Sequence, residues 1–296
     1  MTTSISLTKH HGLGNDFLVL ADTGTNPDRA LRLTAKEGDA LARYLCDRHR
    51  GIGADGLLLA LPAPADGSAA ISMRLHNAAG GVAEMSGNGI RCFAQAVVDG
   101  GLVPPGTLRV ATDAGLRVVE VEPSNAAGLA AIRVDMGVAK LDSIPLGTIA
   151  GAGRVRTVDV GNPHVVIEGD PRAVDLTVLG PQVEAPYMDA TGGINVEVIA
   201  PAGPGAIDMV VWERGVGIPQ ACGTGATAAA LVAHRWGLVG PRVEVRQPGG
   251  SSVVEITGDA ESDTAGLTLV GPSQFIARIE IPQDLVDAIS GRRKDH

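Results

Sequence analysis

The chain carries one turn-and-helix motif twice. Ser86-Gly-Asn-Gly lies on Cys222-Gly-Thr-Gly at an offset of 136, and the same offset puts Gly101-Leu-Val on Gly237-Leu-Val and Pro105 on Pro241. At 135, Leu116-Arg-Val-Val-Glu-Val lies on Ser251-Ser-Val-Val-Glu-Ile. Near the two starts, Gly14-Asn15 and Gly161-Asn162 each precede a short apolar run. Ordered matches at nearly one offset predict two similar halves, and so two domains. Each half reads the same way. A strand (71–74, 209–212) leads into a glycine-rich turn, then into an Ala-rich helix (91–98, 226–236). Val-rich strand pairs follow, 108–111 with 116–122 and 243–246 with 252–256, separated by Gly or Pro turn residues. A further helix runs to about Cys46, with Thr34 and Glu37 spaced as a capping box. Helices mixed with hairpin-like strands imply an α+β fold rather than a regular βαβ array.

Composition limits what can fill such a fold. Hydrophobic residues make up 45% of the 296, but only 7 are aromatic, so the core must be Ala, Val, Leu and Ile. The 40 glycines are roughly twice average usage; many fall in clusters at 12–16, 51–56, 80–89, 160–164, 213–217 and 221–225. The net charge of −9 argues against nucleic acid or an anionic membrane as partner. No apolar run is long enough to span a membrane, and the first residues lack a basic-then-apolar signal pattern. Three cysteines, Cys46, Cys92 and Cys222, are an odd number that suits a reducing compartment. The expectation is a cytoplasmic protein.

The repeated turns suggest chemistry. Small residues at a helix start let backbone N–H groups converge on an anion. A cysteine held there, as Cys222 would be, is expected to have its thiol pKa lowered from about 8.5 toward roughly 3.5–7.5. A thiolate base and a buried free cysteine at a tight turn both fit that spacing. Ser86 occupies the matching place in the first half, but its hydroxyl needs a nearby base to act as a nucleophile. His76, His164 and His49 are possible partners that sequence alone does not place. No G-x-S-x-G elbow exists, because Glu84 takes the first glycine position. Gly51-Ile-Gly-Ala-Asp-Gly matches G-x-G-x-x-G, yet Cys-Asp-Arg-His-Arg precedes it instead of an apolar strand, which argues against dinucleotide binding and hydride transfer. The seven histidines show no metal spacing. Neither cofactor nor metal is expected.

Taken together, HGLGNDF at 11–17, CDRHRGIGADG at 46–56, NAAGGVAEMSGNGIRCFA at 77–94, VGNPHVV at 160–166, INVEV at 194–198 and ERGVGIPQACGTGA at 213–226 resemble the diaminopimelate epimerase family. These are cofactor-free amino-acid epimerases of lysine and cell-wall synthesis. The resemblance implies two pseudo-symmetric α+β domains, each wrapping mixed and antiparallel strands round a central helix, with the site in the cleft between them. It sets the expected domains at 1–138 plus 274–296 and at 139–273. Inverting an α-carbon without a cofactor needs a base on one face and an acid on the other. In the family both are cysteines, and Cys222 matches one. By the same resemblance Gly223 and Thr224, with Gly87 and Asn88, supply donors to the reacting carboxylate. Asn15, Asn77, Asn162, Asn195 and Arg214 match substrate-binding positions, and Glu213 matches the contact to the distal amino group. His164 matches a histidine near the site, with positioning as one role open to it. Spacing alone reads the asparagines as turn formers in left-handed geometry. A small-molecule amino-acid substrate is implied, and a homodimer is the family-level expectation.

Departures from the pattern matter. Ser86 stands where the family has its first catalytic cysteine. Ala79 replaces a usual acidic residue, and Ile218-Pro219 replaces a usual Glu-Thr. Three readings of Ser86 are open. One is a substitution introduced into an ordinary epimerase, impairing the exchange of LL- and meso-2,6-diaminopimelate. Another is a natural enzyme using Cys222 as its single thiol base, as an epimerase, racemase or dehydratase of a different amino acid. The last is an amino-acid-binding protein without turnover.

Overall fold

The computed structural model describes residues 4–21, 33–83, 85–144, 149, 153–259 and 262–291, so Glu84 lies outside the described residues. The chain divides into two compact units, one of residues 1–134 with 272–296 and the other of residues 135–271. In the first unit the elements are β1 (Ser4–Gly12), β2 (Asn15–Leu20), α1 (Ala35–Leu45), β3 (Gly56–Leu61), β4 (Ile71–Asn77), β5 (Val82–Ala83), α2 (Gly87–Asp99), β6 (Gly106–Thr112) and β7 (Gly115–Val121). β8 (Leu129–Leu141) runs into the second unit. That unit continues with β9 (Val155–Asp159), β10 (Pro163–Glu168), α3 (Leu176–Glu184), α4 (Met188–Thr191), β11 (Asn195–Pro201), β12 (Ala206–Trp212), α5 (Gly223–Arg235), β13 (Arg242–Gln247) and β14 (Gly250–Thr257). β15 (Thr264–Pro282) returns the chain to the first unit, where α6 (Gln283–Ser290) follows.

Each unit curls its strands into a ring. In the first the order is β15-β1-β2-β3-β4-β6-β7-β8, with β5 added on β4. In the second it is β8-β9-β10-β11-β12-β13-β14-β15. The β8–β15 pairing closes both series. Phe275 N–H donates to Gly128 O at 2.8 Å in the first unit, and Leu141 N–H to Asp263 O at 2.8 Å in the second. Antiparallel pairing dominates, but each ring has two parallel steps: β2–β3 and β4–β6 in one, β10–β11 and β12–β13 in the other. The architecture is α+β, with mixed strands wrapped round one helix per unit.

A closed ring leaves room for only one helix of modest girth. Residues 87–97 of α2 and 223–233 of α5 are all buried. The alanines at 226, 228, 229, 230 and 233 of α5 are fully buried, and the helix packs against β9 to β14. In the second ring, small side chains on the helix and β-branched ones on the strands fill much of this space, whereas α2 carries the fully buried Phe93. Outside the first ring, α1 and α6 cover a second cluster that includes Leu7, Leu18, Leu41, Leu45, Leu57 and Val286. The capping box at the start of α1 forms: Thr34 Oγ1 accepts from Glu37 N–H at 3.3 Å, and Glu37 Oε2 accepts from Thr34 N–H at 2.7 Å.

The two central helices begin earlier than the sequence reading placed them, at Gly87 rather than 91 and at Gly223 rather than 226. Glycine's low propensity inside a helix hides the first turn from pattern reading. The same glycines suit that turn because N–H groups there need no intrahelical partner. The hairpin pairs β6–β7 and β13–β14 form as expected. Among the described residues no helix is long and apolar enough to cross a membrane.

Candidate active site

The expected site residues fall into two sets, one in each unit. In the second unit the set is built on the start of α5. Cys222 is its N-cap, in extended geometry with φ −127° and ψ 119°, and Sγ accepts from Gly225 N–H at 3.4 Å. The Thr224 hydroxyl lies 3.4 Å from the same sulfur. The cap thus takes the third amide of the helix, and the amides of Gly223 and Thr224 lie at the two positions before it. Cys222 is 6% exposed. Burial pushes its thiol well above the ordinary value, and the carboxylates of Glu213 and Glu197 push the same way. Hydrogen bonds from Thr224 and Gly225 oppose the rise without cancelling it. This corrects the expectation of a lowered pKa: desolvation and two nearby carboxylates outweigh the donors at the helix start.

Around that sulfur the second unit assembles a linked polar group. Asn195, at the start of β11, accepts from Arg214 N–H at 2.8 Å through Oδ1 and donates from Nδ2 to Pro163 O at 3.1 Å. Its Nδ2 lies 3.5 Å from His164 Nε2, and Asn162 Oδ1 lies 3.0 Å from the same nitrogen. His164 and Glu197 are fully buried, with Nδ1 and Oε1 2.7 Å apart. Arg214 donates to Thr191 O at 2.9 Å, and the Glu213 and Gly217 backbones exchange hydrogen bonds in a tight loop. The structure therefore brings Asn162, His164, Asn195 and Arg214 into one network. Glu213 reaches Cys222 through its charge.

In the first unit Ser86 repeats the role of Cys222. It is the N-cap of α2, with φ −137° and ψ 124°, and its Oγ accepts from Gly89 N–H at 3.0 Å. Asn88 Nδ2 donates to Asn15 Oδ1 at 3.1 Å, so Ser86, Gly87, Asn88 and Asn15 form one group. Asn77 ends β4 and is exposed; its backbone N–H donates to Gly81 O at 3.0 Å. None of the five expected asparagines has a positive φ, the non-glycine residues in that region being Leu13 and Asp142 among those described. The left-handed geometry expected of these asparagines as turn formers is therefore absent, although Asn77 opens a turn in which Gly80 N–H donates to its O at 2.8 Å.

Several residues escaped the sequence reading. Glu197 sits beneath the first turn of α5, where a Cβ on Gly225 would lie 2.7 Å from its Oε1. Its signal was a lone acid among the valines of INVEV. Arg91 is fully buried in α2 and Asp55 holds Asn15; the first was legible as one cation in an apolar helix, the second only as part of a glycine-rich loop. His49, in a loop between α1 and β3, donates its backbone N–H to Asp47 at 2.7 Å. The 51–56 segment follows α1 rather than a strand, so it lacks the setting a dinucleotide loop needs. Cys92 is core, fully buried, with its thiol pushed up to about 12 by burial. Among the described residues no group of three or more His, Cys, Asp or Glu is arranged to hold a metal ion.

Comparison with known proteins identifies the family. The family model described as diaminopimelate epimerase matches residues 7–141 and 156–276. The chain belongs to the diaminopimelate epimerase family. Membership makes it an isomerase of the epimerase class, with lysine and peptidoglycan synthesis as the biosynthetic setting of that family. The diaminopimelate epimerase of Pelotomaculum thermopropionicum is 39% identical over 84% of this chain and 90% of its own length. That of Corynebacterium glutamicum is 36% identical over 95% and 99%. Among solved structures, a hydroxyproline epimerase from Agrobacterium vitis with bound trans-4-hydroxy-L-proline superimposes with a TM-score of 0.71. It covers 96% of this chain and 94% of that one at 17% identity, a likeness of fold.

Proposed function

We propose that this epimerase interconverts LL- and meso-2,6-diaminopimelate by cofactor-independent exchange of an α-proton, with Cys222 as one acid–base group and Ser86 impairing the other. The observation that carries the reading is the N-cap geometry of Cys222: a sulfur aimed at the start of a buried helix, with the Gly223 and Thr224 amides beside it. Removing a proton next to a carboxylate builds charge on the carboxylate oxygens, and amides at a helix start stabilise that charge as it develops. Gly87 and Asn88 at the start of α2 have the same task. Asn15, Asn77, Asn162, Asn195 and Arg214 hold the rest of the substrate, while Glu213 receives the distal ammonium. His164 is buried against Glu197 and acts by positioning Asn162 and Asn195.

Burial, with Glu213 and Glu197, favours the thiol form of Cys222. Glu213 is one cause, so a substrate ammonium placed on Glu213 offsets its charge and favours the thiolate when substrate is present. Ser86 has the position of the second acid–base group but an alcohol's acidity. Its Oγ can hydrogen-bond to a carbanion and transfers a proton poorly. That favours exchange at the α-carbon outrunning inversion.

The test is NMR of LL-diaminopimelate in deuterium oxide. The chain with Ser86 is expected to incorporate deuterium slowly and to epimerise more slowly still, and Cys222→Ala to do neither. Full-rate epimerisation by the Ser86 chain would contradict impairment by Ser86. Exchange into other amino acids but not diaminopimelate would contradict the substrate. Binding without exchange would support a protein that holds an amino acid without turning it over.

A further inference from the structure

We propose that Arg91 and Asp55 are positioning residues that set the amide orientation of Asn88 and Asn15 through a one-way hydrogen-bond chain. The inference rests on the reading that Asn15 and Asn88 serve the substrate. Arg91 Nη2 donates to Asn88 Oδ1 at 2.8 Å, Asn88 Nδ2 donates to Asn15 Oδ1 at 3.1 Å, and Asn15 Nδ2 donates to Asp55 Oδ2 at 2.7 Å. A carboxamide's two ends are nearly alike in shape, so packing alone leaves its orientation open. The ends of this chain remove that freedom. A guanidinium only donates and an ionised carboxylate only accepts. Turning either amide over would set N–H against N–H or oxygen against oxygen at one end.

Both ends are firmly held. Arg91 is fully buried and also donates to two neutral carbonyls, Gly87 O at 3.0 Å and Pro272 O at 3.2 Å. Gly12 leaves room for it, since a Cβ there would lie 3.0 Å from Nη2. Asp55 accepts from Arg48 at 2.7 Å through Oδ1, and from the Asp16 N–H at 3.1 Å through Oδ2. Arg48 is shared with Asp16, which also pairs with Lys9 at 2.9 Å. A cation at one end and an anion at the other align both amide dipoles, so each bond in the row strengthens the next. The direction has a consequence for the ligand. Asn15 turns its oxygen toward Asn88 and one N–H toward Asp55, leaving its second N–H as the group it offers. This corner of the site therefore presents an N–H to an acceptor oxygen of the substrate.

The test reads orientation and binding separately, on the full chain labelled with ¹⁵N-asparagine. Asp55→Ala is expected to move the side-chain amide resonances of both Asn15 and Asn88, the second lying one residue beyond any contact with Asp55. It is expected to weaken LL-diaminopimelate binding by about tenfold, the loss of one good hydrogen bond. Asp55→Asn keeps an acceptor oxygen and is expected to restore both readouts most of the way. Arg91→Lys tests the other end by moving the Asn15 resonance, and it decides the matter should Asp55→Ala fail to fold. An Asn88 resonance unmoved by Asp55→Ala, or an Asn15 resonance unmoved by Arg91→Lys, overturns the chain; unchanged affinity in a folded Asp55→Ala overturns its role in binding. If the parent protein binds no LL-diaminopimelate while the resonances move as stated, the hydrogen-bond chain stands and the substrate assignment falls.

Discussion

At the scale of single residues, two N-caps with nearly the same backbone angles carry different atoms. An oxygen and a sulfur each accept the third amide of their helix, so the backbone treats them alike and the chemistry does not. Ser86→Cys is expected to raise the rate of epimerisation by roughly 10²–10⁴-fold, the range for a well-placed acid–base group. Inversion measured by NMR checks it, and a variant no faster than the parent would point to a different reaction. The other cap makes a prediction about sign. Glu213 raises the Cys222 thiol by charge repulsion, so Glu213→Gln should lower its pKa. More thiolate then forms at a given pH, and alkylation of Cys222, followed by mass spectrometry between pH 7 and 10, should reach half its limiting rate at lower pH. An unmoved midpoint would mean that burial and Glu197 set the thiol without Glu213.

At the scale of elements, helix α1 meets β4 where there is no room for a side chain. Gly38 is buried in the middle of α1, and a Cβ there would lie against the His76 ring, well inside contact distance. That ring cannot move away freely, because its Nδ1 bonds Asp39 at 2.7 Å, and Asp39 also accepts from Gly81 N–H at 2.8 Å. Replacing a mid-helix glycine by alanine normally gains about 0.5–1 kcal/mol. Here overpacking should win, for a net loss of about 1–3 kcal/mol for Gly38→Ala, read as a lower urea midpoint. Thr34→Ala, at the N-cap of the same helix, should cost about 1 kcal/mol without touching the site. Features of this kind differ in how readily sequence reveals them. The capping box was legible because it is local, two side chains three residues apart. So were the hairpins, whose turns lie in the chain between their strands. The steric need for Gly38 was not, because it depends on a histidine 38 residues away; neither was the Arg91–Asn88–Asn15–Asp55 row, whose members come from a helix, a strand and a loop. The closing β8–β15 pair joins residues more than a hundred positions apart, and nothing local encodes its register. Position 222 stood out through its glycines, but the sign of its pKa shift comes first from burial and then from Glu213 and Glu197, none of which the local sequence encodes.

At the scale of the whole molecule, the buried titratable groups outline a narrow pH window of greatest stability. On the acid side, burial lowers the pKa of His10 beneath its ordinary value of about 6.5, against weaker support from Gln95 and Asp99. The unfolded chain then takes up a proton at about pH 6.5 that the folded one refuses, so stability is lost as pH falls below that value. Carboxylates add to the loss further down. Burial opposes ionisation of Asp16, but its bonds to Arg48 and Lys9 prevail and hold it below the usual range; His76 does the same for Asp39. Their stabilisation is present above about pH 4 and disappears below it. On the alkaline side, burial raises Cys46 and Cys92 to about 12 and Cys222 well above its usual value. Unfolded thiols ionise near 8.5, so the unfolded chain releases protons that the folded one keeps. Each thiol then removes up to about 1.4 kcal/mol per pH unit above that point. Urea midpoints from pH 5 to 10 should therefore show a plateau from about 7 to 8.5 with a fall on either side. His10→Asn should flatten the fall between about pH 5 and 6.5, and Cys92→Ala should make the alkaline slope shallower by one thiol's share. Stability that stays flat or rises from pH 8 to 10 would show that the thiols ionise as freely in the folded chain as in the unfolded one, and the buried setting assigned to Cys222 would fall with it.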